Sequence, residues 1–291
     1  IATSADGAYS VFAADMDGDG DMDILSASYT DDTIAWYENN GAADPTWTAA
    51  NIATSADGAI SVYAADMDGD GDMDIVSASY ADDTIAWYEN NGAADPSWTA
   101  ADIATSADGA YSVFAADMDG DGDMDILSAS YTDDTIAWYE NNGAADPSFT
   151  AADIATSADG ARSVFAADMD GDGDMDILSA SINDDTIAWY ENNGAADPSW
   201  AASDIATSAD VARSVFAADM DGDGDMDILS ASVNDDTIAW YENTGFAYNY
   251  TWDVDSGGTP SSGAYYATVA GTASATGGTY SGTDSITFTL D

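Results

Sequence analysis

The stretch DMDGDGDMDILSAS, Asp15–Ser28, decides how this chain folds, because near-identical copies of it return at a constant spacing. The period is 51 residues without a slip, and the later copies begin at Asp66, Asp117, Asp168 and Asp219. Five copies of the whole unit cover 1–245, and a segment of different character, 246–291, follows them. A fixed period of this length is typical of propellers, solenoids and other repeat architectures.

Each repeat predicts four short strands separated by turn residues. In the first copy, apolar or β-branched runs occupy Ser10–Ala14, Ile24–Ser28, Thr33–Glu38, and Trp47–Ala50 together with Ile52–Ser55. Asp-Gly and Asn-Gly pairs between the runs favour tight turns. Four strands in 40–50 residues are typical of a propeller blade. The sequence therefore predicts an all-β fold, a five-bladed β-propeller over 1–245, with a parallel β-helix as the structural alternative.

Closing such a ring requires a fourth strand for the last blade. Ile1–Ala5 carries the sequence that ends the fourth strand in repeat phase, so it is one candidate. Tyr250–Asp255, in the segment after the repeats, is the other. The sequence leaves both arrangements open.

The acidic part of each repeat has the spacing D-x-D-x-D-G-x-x-D, which matches the first nine positions of a calcium loop. Such a loop uses carboxylates at positions 1, 3, 5 and 9, a glycine at 6 for the sharp turn, and a backbone carbonyl at 7. Position 12 is Ser26 rather than a bidentate Glu, and no helical pattern flanks the loop, so it is not an EF-hand. In the first copy the side-chain ligands are Asp15, Asp17, Asp19 and Asp23, and the carbonyl is that of Asp21.

Electrostatics favour a bound cation in each loop. Two carboxylates about 5 Å apart repel by roughly 3 kcal/mol at an effective dielectric of 20. Ca²⁺, a hard ion with oxygen ligands, relieves this repulsion and tolerates irregular geometry. The sequence predicts about five Ca²⁺, one per repeat, and identical sites favour a structural role over a catalytic one. Besides the five aspartates of the first loop, the predicted metal residues are Asp66, Asp68, Asp70, Asp72 and Asp74; Asp117, Asp119, Asp121, Asp123 and Asp125; Asp168, Asp170, Asp172, Asp174 and Asp176; and Asp219, Asp221, Asp223, Asp225 and Asp227.

DMDGDGDMDILSAS followed by TIAWYENNG resembles the FG-GAP/VCBS class of calcium-binding propeller repeats, which is also known from integrin alpha chains. The resemblance covers 1–245 and implies a propeller, a Ca²⁺ in the hairpin between the first two strands of each blade, and an extracellular setting. Literal Phe-Gly and Gly-Ala-Pro motifs are missing, and the nearest stretch is Gly41–Pro45. Five blades are also fewer than the seven usual for that class.

Composition excludes several classes of function. The chain has 56 acidic residues against two arginines, with no Lys, His or Cys, and a net charge of −54. Nucleic-acid binding needs clustered basic residues, and anionic membranes repel such a chain. The chain lacks the cysteine that thiolate catalysis requires and the histidine that Ser-His-Asp catalysis requires. Hydrophobic residues make up 46% of the chain, which argues against disorder, and no apolar run is long enough to span a membrane.

Differences between the repeats fall at two connections that are predicted to share one face of the propeller, opposite the calcium loops. One position holds Tyr9, Ile60, Tyr111, Arg162 and Arg213 in the successive copies. The other begins with Tyr29, Tyr80, Tyr131, Ile182 and Val233. Either the tyrosines and arginines form separate sectors of a surface for a partner or glycan, or the loops vary neutrally. The recurrent Trp36 and its copies are expected in the core between blades.

The segment 246–291 is predicted to be a β-rich tail. Tyr280–Asp291 resembles the closing strands of bacterial immunoglobulin-like surface repeats. The tail is too short for a sandwich of about 100 residues, so it is expected to dock on another surface or to pair with another subunit.

These features favour a non-enzymatic, secreted, calcium-stabilised structural or adhesive module, a subunit of an extracellular fibre joined through its tail. The expected partners are copies of itself or cell-surface protein or glycan, without nucleic acid or membrane insertion, and the expected location is the outside or surface of a bacterial-type cell. A carbohydrate-binding propeller is the alternative. Asp31-Asp32 and its copies are the obvious paired acids for a glycosidase, but fivefold repetition favours turn residues.

Overall fold

Each repeat forms one antiparallel sheet, because alternating apolar runs joined by tight turns pair with their neighbours in sequence. The structure, a computed structural model, describes residues 1–245, and these contain 19 strands in five sheets. The sheets are called blades 1 to 5 in chain order. Strand order within each blade follows the sequence, so every blade is a meander.

The strands recur at the same positions in every repeat. Blade 1 contains β1 (Ala8–Ala14), β2 (Asp23–Ser28), β3 (Thr33–Asn39) and β4 (Trp47–Ala53). Blade 2 contains β5 (Ala59–Ala65), β6 (Asp74–Ser79), β7 (Thr84–Asn90) and β8 (Trp98–Ala104). Blade 3 contains β9 (Ala110–Ala116), β10 (Asp125–Ser130), β11 (Thr135–Asn141) and β12 (Phe149–Ala155). Blade 4 contains β13 (Ala161–Ala167), β14 (Asp176–Ser181), β15 (Thr186–Asn192) and β16 (Trp200–Ala206). Blade 5 contains β17 (Ala212–Ala218), β18 (Asp227–Ser232) and β19 (Thr237–Tyr241).

The hydrophobic core lies between blades rather than within one. Leu25, Ile34 and Trp36 of blade 1 pack against Val62 and other buried residues of blade 2. The same set recurs at the next three blade junctions. Trp36 and its copies in blades 2 and 3 are buried in these junctions, as the sequence predicted. Because an inner sheet packs both faces against neighbours, every residue of the second strand is buried in blades 2 to 4, including its aspartate and two serines.

The first strands of successive blades lie side by side and carry a continuous aromatic ladder. The ring centroids of Phe12 and Tyr63 are 4.4 Å apart, and those of Tyr63 and Phe114 are 4.8 Å apart. Phe165 and Phe216 continue the ladder into blades 4 and 5. Tilted aromatic pairs at this distance stabilise more than their buried area alone does. The ladder therefore fixes the order and spacing of the blades, and Ile1–Asn243 form one compact unit.

The prediction of an all-β array of propeller-type blades is confirmed, and within residues 1–245 the array is open between its first and last blades. Val11 of blade 1 is 71% exposed, whereas its equivalent Val62 is 3% exposed. Ile238 of blade 5 is 81% exposed, whereas its equivalent Ile187 is fully buried. Each terminal blade therefore exposes to solvent a face that the inner blades bury against a neighbour.

Of the two candidates for the last strand of blade 5, only Ile1–Ala5 lies within the described residues, and it does not close the ring. Ile1–Ala5 forms no strand, and β17–β19 make a three-stranded sheet. Tyr250–Asp255 and the predicted β-rich tail, 246–291, lie outside the described residues. Over 1–245, the chain has no helix that could cross a membrane.

Candidate functional site

The acidic loops join the first and second strands of every blade, and each loop is folded around its own first carboxylate. In blade 1 the two carboxylate oxygens of Asp15 accept hydrogen bonds from the backbone N–H groups of Asp19, at 3.1 Å, and Gly20, at 2.9 Å. Gly20 has φ of +95°, which a residue with a side chain rarely adopts. The D-x-D-x-D-G spacing therefore produces a tight acidic turn by its own hydrogen bonding.

This turn brings carboxylates from each loop together. In every cluster one oxygen from each of three aspartates lies within 4.8 Å of the others. Four loops gather positions 1, 3 and 5, and the third loop gathers positions 1, 3 and 9. The clusters are Asp15, Asp17 and Asp19; Asp66, Asp68 and Asp70; Asp117, Asp119 and Asp125; Asp168, Asp170 and Asp172; and Asp219, Asp221 and Asp223.

The aspartate at position 9 ties the loop to the sheet. Asp125 is buried, and its Oδ2 accepts a 3.0 Å hydrogen bond from the N–H of Met118 in the loop. Its Oδ1 accepts a 2.7 Å bond from the N–H of Asn141 at the end of β11. Burial raises the pKa of Asp125 to about 7, in spite of these backbone donors and the nearby indole of Trp138, all of which lower it. Position 9 therefore serves as an anchor of the loop as well as a predicted ligand.

The carboxylate of the aspartate at position 7 contacts a turn outside its own loop. The carboxylate of Asp21 lies against Gly41, in the turn after β3, where an added Cβ would collide with it. Gly41 also has φ of +65°. This placement agrees with a loop in which Asp21 offers its carbonyl rather than its carboxylate to an ion. The equivalent aspartates of the next three loops, Asp72, Asp123 and Asp174, contact Gly92, Gly143 and Gly194 in the same way.

In blades 2 to 5 an asparagine links the acidic loop to the loop of the preceding blade, and the sequence reasoning missed it. The side-chain amide of Asn90 donates to the carbonyl of Met73 in its own loop and, at 2.8 Å, to the carbonyl of Met16 in the loop of blade 1. Its backbone N–H bonds to Asp74. The signal was available, since Asn ends the TIAWYEN strand in four copies and follows TIAWYE in the fifth.

The clusters suit a hard divalent cation. Every donor is a carboxylate oxygen, the ligand type that Ca²⁺ prefers. Burial and then the charges of Asp70 and Asp66 raise the pKa of Asp68, against one backbone hydrogen bond from Asp70 that lowers it. The pKa of Asp170 is raised in the same way, to about 6. Neighbouring carboxylates thus add to the burial that raises the pKa of Asp68 and Asp170, and a divalent cation would remove that repulsion.

The paired aspartates at the opposite end of the blades are turn residues that hydrogen-bond to the next blade. Asp83 has φ of +59°, and its Oδ1 accepts a 2.9 Å hydrogen bond from the N–H of Gly109 in the next blade. Its carbonyl accepts another from Ala107 at 3.0 Å. Asp32 makes the same two bonds to Gly58 and Ala56. These aspartates connect neighbouring blades, which accounts for their repetition without catalysis.

Tyrosines from several blades meet at this same end of the array. Tyr9, Tyr29, Tyr80, Tyr111 and Tyr131 line one pocket together with Ile60 and Arg162. The sequence left open two interpretations, separate tyrosine and arginine sectors or neutral variation of the loops. That separation is wrong for Arg162, whose guanidinium lies 4.0 Å from the ring centroid of Tyr111 in the neighbouring blade.

The blades and their acidic loops define a propeller-type repeat protein. Four segments match the model of the FG-GAP-like repeat, namely residues 15–77, 66–128, 117–179 and 170–230. These matches run from 15 to 230 and cover more than half of the 291 residues. The chain belongs to the FG-GAP-like repeat family.

Three solved structures are similar to the chain. The V. cholerae biofilm matrix protein Bap1 is 21% identical with a TM-score of 0.47, over 79% of this chain and 36% of that one. A Lactobacillus plantarum protein is 15% identical with a TM-score of 0.48, over 76% of this chain and 67% of that one. A Bacteroides uniformis protein with a provisional 6-phosphogluconolactonase name is 12% identical with a TM-score of 0.45, over 79% and 71%. The chain spans little more than a third of Bap1, and no curated protein matches it.

Proposed function

We propose that this chain is a non-enzymatic, calcium-stabilised structural module that works outside the cell and joins copies of itself end to end. One observation carries the proposal. The two exposed terminal faces of the array are the two halves of an interface that the chain already forms four times internally.

The exposed side of blade 1, here called the leading face, includes Ala8 and Val11. The equivalent residues of blade 2, Ala59 and Val62, are buried against blade 1. Because the repeats are nearly identical, the leading face has the shape and chemistry of a surface that is already matched inside the chain.

The exposed side of blade 5, here called the trailing face, consists of Phe216, Met220, Ile238 and Trp240. Their equivalents in the inner blades pack against the leading side of the next blade. Trp240 is 49% exposed, for example, whereas Trp138 is 4% exposed. Burying one such side chain stabilises by about 1.5–3 kcal/mol.

The trailing face of one copy and the leading face of another would repeat the internal junction. Such a contact is heterologous, so it forms rings if the rotation closes and filaments if it does not. The predicted fibre contact through 246–291 lies outside the described residues, and the terminal faces supply an alternative that needs only the blades.

Calcium contributes stability in this proposal. Five clusters of carboxylate oxygens offer five sites. With free Ca²⁺ at a hundred times Kd, each site adds about 2.7 kcal/mol if the unfolded chain does not bind. Extracellular modules bind calcium at roughly 10⁻⁴–10⁻³ M, so reaching a hundred times Kd takes free Ca²⁺ of about 10–100 mM.

Two charge insertions test the end-to-end contact. Val11→Asp places a carboxylate on the leading face, and Ile238→Glu places one on the trailing face. Both positions are exposed, so the variants are expected to fold. Ala151→Asp, on the exposed outer strand of blade 3, is the matched control. Analytical ultracentrifugation of the full chain in millimolar Ca²⁺ measures association as protein concentration rises.

We expect wild type and Ala151→Asp to associate and each face variant to stay monomeric. An equimolar mixture of the two face variants should form dimers, because each retains the face that the other has lost. A monomeric wild type at all concentrations would contradict the proposal. So would association that both face variants retain, since the contact would then lie elsewhere.

A further inference from the structure

The pocket between the blades, at the end opposite the acidic loops, has the features of a ligand site. It is a solvent-open cleft of about 300 Å³ that lies among Tyr9, Tyr29, Ile60, Tyr80, Tyr111, Tyr131 and Arg162. That volume is at the lower end of pockets that hold small molecules, so one or two sugar-sized rings would fill it. Residues from four blades contribute to the lining, and the pocket therefore exists only when these blades are assembled.

The tyrosine rings form one connected group with varied orientation. Tyr80 is central, with ring centroids 6.2 Å from Tyr111, 6.3 Å from Tyr131 and 6.4 Å from Tyr29. The planes of Tyr80 and Tyr111 are almost perpendicular, at 84°, whereas those of Tyr80 and Tyr131 are tilted by 48°. A ligand in this pocket would meet ring faces, ring edges and phenolic hydroxyls from several directions. Such a mixture suits a ring with an apolar face and a rim of hydroxyl groups.

Arg162 supplies a cation in a lining that holds no carboxylate among the described residues. Its guanidinium lies over Tyr111 and donates a hydrogen bond to the hydroxyl of that residue. Burial lowers the pKa of Arg162, and the next influences are Tyr111, Arg213 and Tyr9 rather than any aspartate. A guanidinium has five N–H donors in a fixed fork that matches a carboxylate.

The position of Arg162 is informative because the chain has only two basic residues. Net charge is −54, yet its two basic residues occupy equivalent positions in adjacent blades at the pocket end. An arginine placed for general solubility or ion pairing would lie near some of the 56 acidic residues. Arg162 lies among tyrosines instead, where its charge is available to a ligand.

We propose that this pocket binds a carboxylated sugar ring, a hexuronate, with Arg162 contacting the carboxylate and the tyrosines packing on the ring. The overall negative charge opposes a long polyanion but acts weakly on a single bound carboxylate, since salt screens exposed charges beyond about 8–10 Å. A single hexuronate at the end of a glycan is the ligand that fits both the pocket and the charge.

Repeat-derived substitutions test the proposal without disturbing the fold. Arg162→Ile installs the residue that blade 2 carries at this position, Ile60. Arg213→Ile makes the same change in blade 5, and Arg213 does not line the pocket. The probes are methyl glucuronide and methyl glucoside, which differ only in the carboxylate, and benzoate, which has a carboxylate but no sugar. Ligand-observed NMR titration of the full chain, with free Ca²⁺ held constant, gives each Kd.

We expect methyl glucuronide to bind at least about tenfold more tightly than methyl glucoside, as a hydrogen bond to a charged group implies. Arg162→Ile should abolish this preference, and Arg213→Ile should leave it within about twofold. Equal binding of glucuronide and glucoside would overturn the role of Arg162, and so would equal effects of the two variants. Benzoate binding as tight as that of glucuronide would overturn the sugar class, and no binding of any probe would overturn the site.

Discussion

The side-chain amide of Asn141 donates a 2.7 Å hydrogen bond to the backbone carbonyl of Met67, which lies 74 residues earlier in the acidic loop of the preceding blade. The backbone N–H of Asn141 bonds to Asp125, the anchor of its own loop. One buried residue therefore contacts two successive loops. The acidic loop of one blade and the packing of the next are physically connected through it.

Replacing this asparagine should weaken both the blade junction and the coupling of the loops. Asn141→Ala leaves the carbonyl of Met67 without its donor, which costs about 1–3 kcal/mol at a buried site. We expect a lower melting temperature and a shallower calcium-binding isotherm, measured by differential scanning calorimetry and by isothermal titration.

Asn39 is the matched control for that experiment, because among residues 1–245 its amide bonds only within its own blade. Its amide donates to Met22 at 3.0 Å, just as that of Asn141 donates to Met124, but the bond across blades is absent. Asn39→Ala should therefore cost less than Asn141→Ala. Equal losses would show that the contact with Met67 contributes nothing.

Removing calcium should lower stability in proportion to the number of filled loops. We expect a large fall in melting temperature on chelation, because each ion at a hundred times Kd contributes about 2.7 kcal/mol. Asp119→Asn, in the cluster of blade 3, should reduce the bound calcium measured by mass spectrometry by one ion. Asp146→Asn, an exposed acid outside the loops, should leave the count unchanged. A melting curve that chelator leaves unaltered would rule out structural calcium.

The calcium-free protein should lose stability as pH rises from 5.5 to 8. Burial raises the pKa values of Asp74 and Asp125 to about 7, above an unfolded value near 3.9. The folded state therefore binds protons that the unfolded state has released. This contribution is complete below the unfolded pKa and is lost as pH passes through about 7.

Calcium-depleted protein melted across this pH range provides the measurement. Asp125→Asn should flatten the slope, since the amide does not titrate, whereas Asp146→Asn should preserve it. Bound Ca²⁺ competes with these protons, so calcium affinity should rise over the same range. A calcium-free melting temperature that climbs with pH would contradict the assignment of these buried carboxyls.

Local pattern was enough to predict the blades and the acidic loops. Thr33–Asn39 reads as a strand from its β-branched and aromatic residues alone, and Asp15–Asp23 specifies its turn through hydrogen bonds within nine residues. Contacts between blades were less predictable. The Asn141–Met67 bond and the stacking of Arg162 on Tyr111 join residues 74 and 51 apart, and their formation depends on the angle between sheets. No periodicity in the sequence encodes that angle.

At Val211 the fifth repeat has a β-branched residue at a positive-φ position that is glycine in the other four repeats. It has φ of +61°, where the equivalent residues are Gly7, Gly58, Gly109 and Gly160. A β-branched residue in this region is an outlier, and the conformation costs an L-residue about 1–2 kcal/mol. Val211 is held there by a 2.8 Å hydrogen bond from its N–H to Asp185 in blade 4. The residue is thus a site of strain in the last blade.

Val211→Gly should therefore stabilise the chain, by about 1 kcal/mol after the extra chain entropy of glycine is subtracted, or roughly 2–4 °C in melting temperature. The reverse change in the neighbouring blade, Gly160→Val, should destabilise it, because a Cβ there would lie 2.7 Å from the amide nitrogen of Asn183. Thermal melts of both variants in saturating Ca²⁺ measure the pair. If Val211→Gly melts no higher than wild type, the backbone at Val211 carries no strain, and the hydrogen bond to Asp185 accommodates valine as readily as glycine.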